Sequence, residues 1–408
     1  MSKWYKLDNA AKIYPAYVSR NDPGTFRIAA VLKEDLEESR LQAALVKTLA
    51  YFPSMAVTLR KGLFWYYLEE NPDQPQVKLE NKMPCSFMDL RETNGYLFQV
   101  VYYKKRVALE CFHALTDGYG AGEFLKAILF NYFNDQVDHN RIDICLDARD
   151  SKFHEDSYKV YAGKDFSQAN KQKAVHIKGT RTHMEGVYVH HGLMKAQDLK
   201  ALAKTHQTSV TVFLLALYMK SLHAVTKKGP LVVTVPVNLR KLFPSITLRN
   251  FSYVMNISVD RDLDLDDMID HIKGQFENQL QPAYLRGQFS KNVDYESSFF
   301  LKLTPLEVKN AILKTVRNME SKRIVTSIFT NPGLIRLPED MKDKVSHFEC
   351  ILYASSPHVV NMGLVTYEDN LVLSLSRCIQ EEDVIDSFFE LLQAHMPSDI
   401  TYYSNQGA

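Results

Sequence analysis

Residues 106–133 constrain the fold more than any other part of the chain. Arg106 to Phe112 is β-rich, Cys111 to Gly120 is a turn carrying glycines, and Tyr119 to Phe133 has apolar side chains at 124, 125, 128, 129, 132 and 133. That spacing is close to the 3.6-residue period of a helix. A strand that passes through a short turn into a strongly apolar helix needs a sheet layer and a helix layer around one core, which points to an α/β fold.

The rest of the chain alternates in the same way. A helix is expected where Leu36, Leu41, Leu45 and Leu49 line one face, with Pro53 closing it, and strands are expected at Ala56–Leu59, Leu63–Leu68, Gly95–Tyr103 and Arg106–Phe112. Asn134 to Gly179 is rich in charged and turn-prone residues and reads as a linker or crossover. Beyond it come a strand at Val187–His191, helices at Lys195–Lys204 and Ser209–Val225, and a β-branched strand at Leu231–Val237. Helices at Leu265–Leu280 and Pro305–Met319 follow, then strands at Ile324–Phe329, His347–Ala354, Val359–Thr366 and Leu371–Ser376, and a last helix at Glu381–His395. No short-period repeat is visible, which argues against solenoids and propellers.

The 408 residues suit two or three domains at about 150 residues each. Lys plus Arg (49) almost balances Asp plus Glu (48), so the chain has no global field for nucleic acid or an anionic membrane. The longest apolar stretch, Val212 to Met219, falls far short of the roughly 20 residues of a membrane span. The polar N-terminus shows no export signal. The five cysteines are sparse and never spaced CxxC, so a reducing cytoplasm is expected, with no disulfide framework and no structural zinc. Two Asn-x-Ser sequons, at Asn250 and Asn256, read as chance matches in a chain of this kind.

The sharpest chemical feature is His113-Ala-Leu-Thr-Asp117-Gly118, between the strand and the helix. Background frequencies give roughly 0.03 chance occurrences of His-x-x-x-Asp-Gly in a chain of this length. A histidine leaving a strand end onto an open glycine turn can project its imidazole into a cleft and take a proton from an attacking hydroxyl. Asp117 is expected to point inward and to need an arginine, because a buried carboxylate without a countercharge is costly. Metal ligation would need further ligands, and neither HExxH nor a Cys/His cluster supplies them. Gly118 to Gly122 superficially matches a dinucleotide loop, but Glu123 stands where the third glycine belongs and would repel pyrophosphate. His190 and His191, neighbours on a strand, point to opposite faces and are expected to meet solvent.

Phe112-His-Ala-Leu-Thr-Asp-Gly118 followed by an apolar helix resembles the signature of the CoA-dependent acyltransferase superfamily, which includes chloramphenicol acetyltransferase, alcohol acetyltransferases, polyketide-associated acyltransferases and the condensation domains of nonribosomal peptide synthetases. Thr208 to Leu217 resembles the buried helix of that family's second lobe. Val235-Pro-Val-Asn-Leu-Arg240 resembles the strand whose arginine meets the motif aspartate. Arg249 to Asn256 resembles the active-site segment that follows, and Phe329-Thr-Asn-Pro-Gly333 resembles an Asn-x-Gly turn of the same group.

The resemblance implies two lobes, residues 1–175 and 176–408, each a mixed sheet with helices and with a tunnel between them. Donor thioester and acceptor would enter from opposite mouths, and His113 would act as general base without an acyl-enzyme. It further implies that Arg240 pairs with Asp117, with Arg249 as second choice, and that Gly118 leaves room for a pantetheine arm. Ser252, Tyr253, Asn256 and Asn331 are unranked candidates for the oxyanion donor or for acceptor contacts. The implied co-substrate is an acyl-CoA such as acetyl-CoA, with no permanently bound cofactor, and the acceptor is a small alcohol or amine.

Condensation domains usually carry a second histidine directly before the motif, and Phe112 stands there, which favours a stand-alone ester-forming enzyme; a two-lobed unit that encloses its own tunnel is expected to be a monomer. The DFGWG segment of the plant branch is absent. Two other readings stay open. One is amide formation, or donation from an acyl or peptidyl carrier protein. The other is a non-catalytic protein that binds a ligand in its tunnel.

Overall fold

The structure is a computed structural model, and it describes residues 3–134, 144–163, 173–227, 229–297 and 303–406. The first half builds a small sheet and a larger one. β1 (Trp4–Lys6), β3 (Val57–Lys61) and β4 (Tyr66–Glu70) form the small sheet in the order β1-β4-β3. β2 (Thr25–Leu32), β5 (Val77–Leu79), β6 (Phe98–Tyr103) and β7 (Arg106–Phe112) belong to a five-stranded sheet. Its fifth member is β12 (Val345–Leu352), far along the chain, and the order is β12-β2-β7-β6-β5. Among the described strands the halves exchange one, β12, which the second half lends to the sheet of the first.

The second sheet has seven strands: β8 (Tyr188–Lys195), β9 (Leu231–Asn238), β10 (Ser252–Val259), β11 (Ser327–Ile335), β13 (Val360–Tyr367), β14 (Asn370–Arg377) and β15 (Thr401–Ser404). Their order is β10-β9-β11-β13-β14-β8-β15, with β11 parallel to both β9 and β13 and the remaining pairs antiparallel. β9 meets β11 through only two residue pairs, Val233–Ser327 and Thr234–Ile328. Pro236 lies beyond them, where the amide hydrogen it lacks costs β11 no ladder bond. β12 crosses over β13 so closely that a Cβ on Gly363 would stand 2.2 Å from the Cys350 carbonyl oxygen, and only glycine fits there.

The helices named below are α1 (Tyr14–Tyr17), α2 (Glu38–Leu49), α3 (Gly118–Phe133), α4 (Ser157–Tyr161), α5 (Ala196–Thr205), α6 (Val210–Thr226), α7 (Leu265–Gln279) and α8 (Pro282–Ser297), and three more follow at Leu306–Ile324, Glu339–Lys342 and Asp383–His395. α2 and α3 cover the first sheet, burying Leu41, Leu45 and Leu49 with Phe124, Leu125 and Ile128 in one core. The Oγ1 of Thr48 joins them, donating to the Ala44 carbonyl of its own helix at 2.7 Å and accepting from Asn131 of α3 at 2.9 Å. α6 is buried on nearly every side, as the apolar run Val212–Met219 requires, and shares the second core with Ile269 of α7 and Phe388 of the final helix. Each such Leu, Ile or Phe stabilises the fold by about 1.5–3 kcal/mol. Among the described residues no single helix is long and apolar enough to cross a membrane.

The structure corrects the expectation for the histidine pair. His191 is 3% exposed and His190 is half-buried, because β8 lies inside the sheet between β14 and β15 with packed layers on both faces. The two rings do point to opposite faces: His190 Nε2 is 3.8 Å from Glu382, while His191 bonds Ser374 at 2.9 Å and stacks on Tyr403. The linker reading is also incomplete. Residues 135–143 and 164–172 of it lie outside the described residues, but the stretch between them holds α4, whose Tyr158 is buried.

Candidate active site

β7 delivers His113 to the boundary of the two halves, where Asn250 meets it, and the strand does not release the chain at once. The His113 amide still donates to the Gly24 carbonyl at 2.9 Å, just ahead of β2. Gly24 has φ of +60°, and a Cβ there would press on the Phe112 ring at 3.2 Å. The His113 imidazole lies flat against Tyr14 of α1, with centroids 4.8 Å apart and planes 5° from parallel, and touches the Phe26 ring at 4.6 Å. The ring is half-buried. Burial pushes its pKa below the ordinary histidine value, against the opposing pull of Asn250 and Asp117, so it is neutral at pH 7.

Asp117 caps α3, accepting from the Gly120 amide at 3.1 Å. Its two oxygens also take the Arg240 guanidinium at 2.9 and 3.3 Å and the Phe251 amide at 2.9 Å. Both side chains are almost completely buried, at 6% and 5% exposure. Arg240 donates further to the carbonyls of Thr247 (3.0 Å) and Arg249 (2.7 Å), and Tyr119 covers its face at 4.4 Å. One ion pair thus fastens the motif turn of the first half to the loop between β9 and β10. Arg249, the second choice, is buried elsewhere and donates to the Leu115 carbonyl at 3.2 Å. Burial lowers its pKa to about 10.

The turn glycines divide by function. A Cβ on Gly118 or Gly122 would meet open space, whereas one on Gly120 would stand 2.1 Å from Thr116 Oγ1 and 2.4 Å from the Leu248 carbonyl. Thr116 Oγ1 itself donates to that carbonyl at 2.6 Å. Gly120 is therefore where the two halves touch backbone to backbone.

The four unranked candidates do not converge in the same way. The Ser252 backbone is held by the Tyr158 hydroxyl, which accepts from its amide at 3.0 Å and donates to its carbonyl at 2.5 Å. Tyr253 meets Tyr284 edge to face at 6.3 Å. Asn256, farther along β10, accepts from Thr234 on β9 at 2.9 Å. Asn331 sits in the β11 irregularity, where Oδ1 accepts from the Gly333 amide at 2.8 Å and Nδ2 donates to Thr211 at 2.9 Å.

Sequence reasoning did not single out Asn250, which reaches the histidine, or Asp8, which holds Asn250. Asn250 Oδ1 faces His113 Nδ1 at 3.3 Å, and Asn250 Nδ2 donates to the His113 carbonyl at 3.0 Å and to Asp8 Oδ2 at 3.1 Å. Asp8 is 1% exposed and accepts as well from the amides of Asn250 (3.2 Å) and Ala11 (2.8 Å). Burial raises its carboxyl pKa to about 6, Asp156 adds to the rise, and Asn250, Ala11 and Arg249 oppose it. Asp8 lies 242 positions from Asn250, and no local spacing signals such a contact.

No protein-family model matches the sequence, and no curated protein is similar to it in sequence. Solved structures are similar in fold. The first condensation domain of the calcium-dependent antibiotic synthetase superposes with a TM-score of 0.63 at 13% identity, covering 98% of this chain and 99% of that one. The starter condensation domain of rhizomide synthetase, solved with C8-CoA, gives 0.62 at 13% identity over 96% and 94%. The trichothecene 15-O-acetyltransferase TRI3 from Fusarium sporotrichioides gives 0.61 at 11% identity over 96% and 95%. The chain has the two-lobed α/β fold of these condensation domains and of the trichothecene 15-O-acetyltransferase, as the motif led us to expect.

Proposed function

We propose that this protein transfers an acyl group from an acyl-CoA thioester to an alcohol, with His113 as general base and no acyl-enzyme. The observation that carries the reading is the placement of a neutral, half-buried imidazole at the junction of the halves, beside a turn locked by Asp117 and Arg240. His113 accepts the hydroxyl proton as the acceptor oxygen attacks the thioester carbonyl carbon. The tetrahedral adduct collapses, the carbon–sulfur bond breaks, and the imidazolium returns its proton to the departing thiolate. Ester and CoA thiol are the products. Open space at Gly118 supports a pantetheine arm passing the turn, and Ser252, Tyr253, Asn256 and Asn331 stay the candidates to serve the oxyanion or the acceptor.

Phe112 in place of a second histidine supports ester over amide formation. The condensation-domain neighbours support the second reading, amide formation with an amine acceptor or a carrier-protein donor. The five free cysteines, four of them buried, support work in a reducing cytoplasm. Thiol release from acyl-CoAs of several chain lengths, each with a panel of alcohols and amines, tests the proposal. Alcohol-dependent release lost in His113→Ala is expected. Release only with amines, only from a carrier, or from no donor would overturn it.

A further inference from the structure

We propose that Asn250 and Asp8 are positioning residues that fix the proton of neutral His113 on Nδ1 and leave Nε2 as the free base. This rests on the reading of His113 as the base, and it adds which residues hold the ring's tautomer. A carboxamide has a donor end and an acceptor end, and its neighbours decide which faces where. The Asn250 amino group is claimed from two sides, by Asp8 Oδ2 at 3.1 Å and by the His113 carbonyl at 3.0 Å. A carbonyl can only accept, and so can an ionised carboxylate. Reversing the amide would set its oxygen against both of them.

With the amino group committed, Oδ1 is the atom left to face His113 Nδ1 at 3.3 Å. That contact is a hydrogen bond only when Nδ1 carries hydrogen, which makes Nε2 the lone pair. Asp8 is what makes the reversal costly. It is buried, and it also accepts from the Asn250 backbone amide at 3.2 Å and from Ala11 at 2.8 Å, so its oxygens are fixed before the histidine is considered. When Nε2 takes the acceptor's proton, the positive charge reaches Nδ1–H and is met by an amide oxygen polarised by a carboxylate.

The construction joins three distant segments: the loop after β1, the end of β7 and the loop before β10. Tyr14, stacked on the imidazole, keeps the ring in the plane that aims Nδ1 at Asn250.

The test is nitrogen-15 NMR of histidine-labelled full-length protein at neutral pH, with the His113 signals assigned by their loss in His113→Gln. The wild-type ring is expected to show a protonated Nδ1 and an unprotonated Nε2. In Asn250→Ala the ring should move toward the Nε2-protonated form that free imidazole side chains favour, and kcat should fall about 10- to 100-fold with little change in KM for the acyl donor. Asp8→Asn, of the same shape, permits the reversed amide and should give a mixture of the two forms. It serves as the variant to read should Asn250→Ala not fold. A wild-type ring protonated on Nε2, or a tautomer unmoved by the variants, would overturn the proposal. The spectrum needs no substrate, so it stands or falls separately from acyl transfer itself.

Discussion

Replacing Arg240 with alanine tests how the site is held together. The guanidinium gives two hydrogen bonds to Asp117, at 2.9 and 3.3 Å, and one each to the Thr247 and Arg249 carbonyls at 3.0 and 2.7 Å. After the substitution Asp117 retains the Gly120 and Phe251 amides, but its carboxylate, 6% exposed, loses its countercharge. Removing one partner of a buried pair costs about 3–5 kcal/mol. With an unfolding entropy of ~2.1 cal/mol/K per residue, a chain of this length gains ~0.9 kcal/mol/K if both lobes unfold together, so Tm should fall by about 3–6 °C. Asp117→Ala should cost a similar amount, and the double variant should lose less than the sum by about 0.5–3 kcal/mol, because the buried charge is then gone from both sides. Thermal unfolding of the four proteins, followed by near-ultraviolet circular dichroism with thiol release measured in parallel, gives both readouts. An Arg240→Ala protein within about 0.5 kcal/mol of wild type, or strictly additive losses, would refute the reasoning.

Three further outcomes are expected. Gly120→Ala should destabilise by about 1–3 kcal/mol, since its Cβ meets Thr116 and Leu248 at 2.1 and 2.4 Å, whereas Gly122→Ala, in open helical space, should gain about 0.5–1 kcal/mol; paired denaturant titrations decide this. Gly118→Ala also has open space, so it should fold normally and raise KM for the acyl-CoA, and steady-state kinetics with varied donor would reveal an unchanged KM as the contrary result. His191 is pushed down to about 4 by burial from an ordinary value of 6.5, so the native ring stays neutral while the unfolded chain takes up a proton. The stability it supplies is complete above about pH 6.5 and shrinks by about 2–3 kcal/mol at pH 4.5, and His191→Phe should remove that part of the slope in urea midpoints.

Where local pattern decides structure, the sequence was legible. The strand expected at Leu231–Val237 is β9, the helices expected at Ser209–Val225 and Leu265–Leu280 are α6 and α7, and Arg240 is the partner of Asp117. The elements follow from apolar periodicity and the need for an arginine from a charge that must be neutralised, while the choice of Arg240 came from the resemblance. β2 escaped notice because Arg27 and two alanines blur its pattern; Arg27 is buried there and bonds Glu110 at 2.9 Å. α8 and β15 carried no usable signal either. The strand expected at Ile324–Phe329 runs on as β11 through the Asn331–Gly333 irregularity, where Pro332 and Gly333 had read as a turn. The most consequential gap was partnership over distance. Alternation identifies the strand near His347–Ala354, observed as β12, but says nothing of the sheet it joins. The same limit hid Asp8 and Asn250, whose residue types are unremarkable until folding brings Asn250 to His113 and Asp8 to Asn250.

The most direct test of the account is the pH dependence of kcat/KM for thiol release, from about pH 5 to 8, in wild type and His113→Ala. The base works only when neutral, and burial sets its pKa below the ordinary histidine value of 6.5, so wild-type activity should climb with pH through a midpoint below that value and then level off. His113→Ala should show neither the climb nor the activity. A profile that is flat across this range, or one that His113→Ala reproduces, would contradict the assignment of His113 as the base.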